Sequence, residues 1–235
     1  QYEYAKLIHS AKNADECIAY LDSAANQNQD EACMSLSLLY ERSILFDVKL
    51  TGNYRDIEKS KHYLKMAVDN GYTPALTKMG INYMNGVGCK KNIQIAKDYL
   101  KKAIDYGNDE IALLNYGDIL INERIKEQNE TKRNELYKEA FQCYKESAKH
   151  DCVQAQYRYA KMIIEILDKQ EQIDANYELT DTQSDEIPPI DTDINYDIAE
   201  ENLKSAANKK YPPAIYDYAI FLMKIRNKYR KSMDL

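Results

Sequence analysis

The chain predicts an all-α fold, a solenoid of stacked antiparallel helix pairs, on three observations. One short sequence paragraph recurs five times, its small and apolar residues recur at offsets of three and four, and glycine and proline are scarce, at seven and five in 235 residues. The fullest copy reads Met79-Gly80-Ile81-Asn82-Tyr83-Met84-Asn85-Gly86-Val87-Gly88, then Asn92-Ile93-Gln94-Ile95-Ala96-Lys97-Asp98-Tyr99-Leu100-Lys101-Lys102-Ala103, then Gly107. A unit of this kind cannot bury its apolar face alone. Stacking on neighbours supplies the core and leaves a long surface for partners.

The second helix of each pair, helix B, aligns on Leu21, Leu64, Leu100, Tyr144 and Leu203. Four residues earlier stand Cys17, Ser60, Ala96, Ala140 and Ala199; three residues later stand Ala24, Ala67, Ala103, Ser147 and Ala206. These offsets share one helical face, and small side chains there let a neighbouring helix come close. Eight residues before the aligned position, Asn13, Asp56, Asn92 and Asn195 suit the capping of a first turn. The fourth copy has Leu136 there, so its helix is expected to start near Thr131 or Asn134. Asn28, Gly71, Gly107, Asp151 and Lys210 stand where a left-handed residue would end each helix; Asn and Gly suit that role, Asp151 less and Lys210 poorly.

The other helix, helix A, carries small residues at Ala5, Ser37, Gly80, Gly117, Ala160 and Ala219. Each is preceded by Tyr4, Leu36, Met79, Tyr116, Tyr159 or Tyr218 and followed three residues on by Ile8, Tyr40, Tyr83, Leu120, Ile163 or Leu222. This periodicity reads as core packing. With no tryptophan and 21 tyrosines, tyrosine carries the aromatic load, offering apolar area with a hydroxyl that reaches the interface edge.

These positions, with Gly86-Val87-Gly88 followed by Asn92 where Asp is usual, resemble the Sel1-like repeats, a branch of the tetratricopeptide-like solenoids. The resemblance covers nearly the whole chain apart from three insertions, and only the third copy keeps the Gly-x-Gly loop. It implies a right-handed α-solenoid of Sel1-like repeats over residues 1–235, a single domain of about five and a half helix pairs. In related repeats the A helices line a concave surface on which extended or helical peptides dock. Carried over, the residues three before and one after each small position face that groove: Met34, Thr77, Ile81, Leu114, Asp118, Tyr157, Lys161 and Tyr216. The implied function is a non-catalytic scaffold or adaptor for a partner protein or peptide. The alternative is the regulatory repeat region of a larger enzyme, a kinase or a ubiquitin-ligase complex, including an endoplasmic-reticulum-associated degradation adaptor.

The rest of the sequence narrows the function without naming the partner. His9, His62 and His150 fall in different repeats, and no nucleophile–base pair, metal-ligand cluster or phosphate loop can be assembled, so neither enzyme chemistry nor a cofactor nor a metal is expected. A net charge of −6 and a pI near 5.3 oppose nucleic-acid binding. No stretch approaches the roughly 20 apolar residues a bilayer requires, so direct membrane insertion is not expected in this segment. Five cysteines without close pairs favour reduced thiols and a cytoplasmic setting. The endoplasmic reticulum lumen stays open if a signal lies outside the segment. Because the chain opens inside a helix, it is expected to be a piece of a longer protein.

The three insertions differ. Residues 46–55 are expected to lengthen a loop, with a turn at Thr51-Gly52-Asn53. Residues 122–135 are charged, without Gly or Pro, and are expected to prolong the flanking helices with a solvated face. Residues 168–197 hold ten acids and one lysine, a net of −9, with Pro188-Pro189, and read as an acidic, partly disordered tether. The basic residues Lys224, Arg226, Lys228, Arg230 and Lys231 could meet it.

Overall fold

Alternating helices A and B follow from the two registers above. The computed structural model describes residues 1–7, 14–46, 48–50, 53–175 and 194–233. They fall into two compact units, Gln1–Ala112 and Leu113–Leu235. The first unit holds α1 (Tyr2–Leu7), α2 (Ala14–Ala25), α3 (Asp30–Arg42), β1 (Ile44–Leu45), β2 (Val48–Lys49), α4 (Ile57–Asp69), α5 (Thr73–Asn85) and α6 (Ile93–Gly107). The second holds most of α7 (Glu110–Lys126), then α8 (Glu130–Lys149), α9 (Val153–Ala175), α10 (Tyr196–Asn208) and α11 (Pro212–Met233). Odd-numbered helices are A, even-numbered helices are B, and the stacked-pair architecture is the predicted one.

The helix starts are chemically explicit. Asp56 accepts from the amides of Glu58 and Lys59, Asn92 from Ile95 and Asn195 from Ile198. Each substitutes for a carbonyl that the first turn lacks. Asn13 lies outside the described residues. The fourth helix B starts earlier than predicted. Asn129 caps it through the Lys132 amide, so Thr131 and Asn134 sit inside α8, and residues 122–135 prolong both flanking helices. At the helix ends, Asn28, Gly71, Asp151 and Lys210 do turn left-handed, with φ of 60, 79, 65 and 60°. Asn108 does so in place of Gly107, which stays helical.

Every aligned position of helix B is buried, from Leu21 and Leu100 at 0 % exposure to Ser60 at 7 %. The leucine or tyrosine of helix B is a plug, and the small residue of the preceding helix A is its seat. A β-carbon on Gly80 would lie 2.7 Å from Leu100 Cγ, and one on Gly117 would lie 2.8 Å from Tyr144 Cε1. In the α3–α4 pair the seat is Ser37, and the Ser60 hydroxyl donates to its carbonyl at 2.8 Å. A fully buried leucine contributes about 1.5–3 kcal/mol, so the plugs carry much of each pair's cohesion.

One insertion departs from expectation, and another is described only at its ends. Residues 46–55 do not simply lengthen a loop: β1 and β2 pair antiparallel, Ile44 with Lys49 and Leu45 with Val48. Buried Leu45 and Leu50 pin this ribbon on the core of the first unit, and Phe46 meets Tyr2 edge-on. The predicted turn at 51–53 falls mostly outside the described residues. The acidic stretch begins as helix, since α9 runs to Ala175, and residues 176–193 lie outside the description. Asp168 at its start accepts from Tyr196 at 2.9 Å and pairs with Lys224, a member of the basic end.

Candidate partner-binding surface

In the second unit, successive A helices face one another through residues two before and one after the seat. Asp118 follows the Gly117 seat on α7 and meets Arg158, two residues before the Ala160 seat on α9. Nε lies 2.8 Å from Oδ1, and Nη2 donates to Oδ2 at 3.1 Å. The Tyr144 hydroxyl also donates to Asp118 Oδ1 at 2.6 Å, and burial with this carboxylate pushes that hydroxyl far above the ordinary tyrosine range. One pair further on, Lys161 follows the Ala160 seat and lies 3.0 Å from Asp217, two residues before Ala219 on α11. Tyr157 donates to the same carboxylate at 2.8 Å. Burial alone would raise Asp217, but the Tyr157 hydroxyl and Lys161 outweigh it and hold the carboxyl below its ordinary value. Burial and Asp217 push Tyr157 up to about 12.

In the first unit, Lys78, two before Gly80, pairs with Glu41 of α3. Burial would raise Glu41, but its bond to Lys78 and the charges of Lys78 and Arg42 lower it. The more exposed Asp118–Arg158 and Lys161–Asp217 pairs each add only about 0–1 kcal/mol. Their consequence is orientation, because each ties one helix A to the next.

Ile81 differs from its counterparts in the second unit. It stands one after the Gly80 seat, where Asp118 and Lys161 make their pairs, and it is aliphatic. The surface opens there into a hollow of about 350 Å³. Pro74, Ile81, Val87 and Ile111 give it an apolar lining; Asn82, Asn85 and Asp109 add polar groups, and the Glu41–Lys78 pair forms one wall. Val87 and Ile111 are 45 % and 40 % exposed, unusual among the aliphatics of the first unit.

The eight groove residues expected from the sequence divide. Ile81 and Thr77 line the hollow; Asp118, Tyr157 and Lys161 belong to the ion-paired series; Tyr216 is 69 % exposed on α11. Thr77 and Leu114 are corrections to the open-groove expectation, at 5 % and 4 % exposure, and Met34 is half-buried against the core. The position three before the seat points only 60° from it on a helix of 100° per residue, so packing covers it in every pair but the last. Arg158, Asp217, Lys78 and Glu41 were not expected. Opposite charges at fixed offsets from successive seats, as in Asp118/Arg158 and Lys161/Asp217, were the signal that could have found the second-unit pairs.

Among the described residues no group of three or more His, Cys, Asp or Glu is placed to hold a metal ion, and every cysteine is a free thiol. None of the described helices is long and apolar enough to cross a membrane.

The fold defines a helical-repeat protein of stacked helix pairs. The chain belongs to the Sel1 repeat family, whose model matches residues 2–29, 31–72, 73–108 and 112–152, more than half of its length. Each match spans one A–B pair, and the structure adds the α9–α10 pair beyond them. Repeats of this family are generally protein–protein interaction modules. The chain is similar to a Sel1 repeat protein from Oxalobacter formigenes, with a TM-score of 0.62 and 21 % identity over 86 % of this chain and 67 % of that one. A protective antigen of uropathogenic Escherichia coli displaying an SLR fold aligns with a TM-score of 0.40 and 15 % identity over 88 % of this chain and 52 % of that one. The first likeness speaks to the fold. No curated protein sequence matches the chain.

Proposed function

We propose that the chain is a non-catalytic interaction scaffold that binds a segment of a partner protein on the surface of its A helices. The observation that carries this reading is the hollow around Ile81, where exposed Val87 and Ile111 stand beside the polar Asn82, Asn85 and Asp109. Apolar walls with a few placed polar groups suit one anchoring aliphatic or aromatic side chain of an extended peptide, with its backbone bonded to the asparagines.

The test is capture by the 235-residue chain, followed by mapping with peptides of the captured protein. Ile111→Lys and Val87→Lys alter exposed residues and should leave the melting temperature in place while weakening peptide binding at least tenfold. Undiminished binding by the double variant would remove the hollow as the site.

A further inference from the structure

The charges of the chain are unevenly placed. Residues 55–102 carry ten Lys or Arg against four Asp or Glu, a net of +6 in a chain whose net charge is −6. Among these bases Lys78 lies on α5 and is paired with Glu41. The others lie on α4, on α6 and in the segments that lead into them. Two other helices B are opposite in sign. α2 has Asp15, Glu16 and Asp22 with no base, and α10 has Asp197, Glu200 and Glu201 against Lys204.

Helical periodicity gathers the lysines on one face. Ser60, Leu64 and Ala67 turn inward on α4, so Lys61, His62 and Lys65 turn out; Leu100 and Ala103 do the same for Lys101 on α6. Exposed Lys90 and Lys91 stand just before the Asn92 cap. The two runs adjoin, because a β-carbon on Gly88 would lie 3.4 Å from Lys61 Cε.

Few of these charges are neutralised. Asp56 is occupied as the cap of α4, and Asp98 accepts from Gln94. Glu58 takes Lys61 at 2.8 Å. Lys59 and Lys102 lie over the rings of Tyr40 and Tyr99, 5.1 and 5.9 Å from their centroids, which holds each cation without cancelling it. Lys65, Lys90, Lys91 and Lys101 are exposed and pair with no described group. Lysines gathered this way repel one another, and an anionic partner relieves the repulsion.

We propose that the lysine face of α4 and α6 is a second docking surface, separate from the hollow, and that it takes an acidic segment of a partner protein. Charge complementarity selects the occupant. Screening confines the field of the lysines to about 8 Å at physiological ionic strength, so a short acidic segment meets this face alone. A long polyanion also meets the acids that make the whole chain negative, which disfavours nucleic acid and anionic membrane.

The probe is a fluorescein-labelled oligoglutamate peptide, read by anisotropy with the 235-residue chain. Saturable binding that weakens with added salt is expected. Lys65→Glu, Lys90→Glu, Lys91→Glu and Lys101→Glu together should weaken it at least tenfold and leave the melting temperature in place. The same four positions changed to Gln, which adds no acid, should weaken it at least threefold. Lys126→Glu, Lys138→Glu, Lys145→Glu and Lys204→Glu shift the net charge equally elsewhere and should change it less than threefold. Absence of saturable binding, or equal losses in the two Glu sets, overturns the proposal. So does tighter binding of oligothymidylate or of phosphatidylserine vesicles than of the peptide. Peptide binding that emerges only when residues 176–193 are replaced by a Gly/Ser linker overturns it too, because the chain's own acids would then cover the face. None of these variants touches the hollow around Ile81, so failure here leaves that reading to its own test.

Discussion

The α5–α6 and α7–α8 pairs close in the same way with different chemistry. In both, a glycine seat is so close to the plug that a β-carbon would fall 2.7–2.8 Å from it. Leu100 fills the first pair with hydrocarbon alone. Tyr144 fills the second with a ring whose hydroxyl reaches through to Asp118, itself held by Arg158. The leucine plug depends on shape, and the tyrosine plug depends on shape and on protonation.

The largest expected effect tests the part the two pairs share. Gly80→Leu should destabilise the chain by about 3 kcal/mol or more, since overpacking of a close helix contact typically costs about 1–3 kcal/mol and here a plug and the Ala96 carbonyl both stand in the way. Cys89→Ala, at a half-buried loop position, should leave the urea midpoint nearly unchanged. Equal midpoints for the two variants would sink the seat-and-plug interface.

Next in size is the chemistry that separates the pairs. Tyr144→Phe keeps the ring but removes the phenol donor from Asp118, leaving it to Arg158, and should cost about 1.5 kcal/mol, the lower end for hydrogen bonds to charged groups. Tyr99→Phe, next to the leucine plug and without a carboxylate bond of this kind, should cost well under 1 kcal/mol in the same urea titration.

The same contrast fixes the pH response. Tyr144 has a folded pKa above its unfolded value, so its contribution is complete below about pH 10 and is lost as pH rises toward the folded value. Tyr144→Phe should therefore flatten the fall of melting temperature between pH 9 and 11. Glu41 and Asp217 are lowered, so their contribution is present above about pH 4 and is lost as pH falls further. Asp217→Asn should reduce the acid-side loss without changing the alkaline one.

The smallest effect concerns helix ends. Lys210 holds φ of 60°, which costs a side-chain-bearing residue about 1–2 kcal/mol. Lys210→Gly should stabilise by about 0.5 kcal/mol once the greater freedom of unfolded glycine is subtracted. Asp151→Gly should gain nothing, because the Asp151 side chain accepts from Lys209 and Gln156.

The B register was fully legible because each plug and its flanking small residues sit at helical offsets that tolerate nothing bulkier. The caps at Asp56, Asn92 and Asn195 were legible for the same local reason. Asn129 was missed because the charged run of the fourth copy lengthens α8 by more than one turn, so distance from the plug stops locating the cap. The β1–β2 ribbon was invisible because four paired residues carry no periodicity. The groove was the least legible part: being near a seat in sequence does not say whether the next helix covers the position, which is why Thr77 and Leu114 are buried and Ile81 is not.

The hydroxyls of Tyr63, Tyr116, Tyr144, Tyr157, Tyr196 and Tyr218 all donate to carboxylates of another helix. A carboxylate bonded to a phenol quenches its excited state, and with no tryptophan in the chain the emission is tyrosine's alone. The folded protein is therefore expected to be dim and to brighten as its helix pairs separate, so that its own fluorescence records how many of these contacts remain.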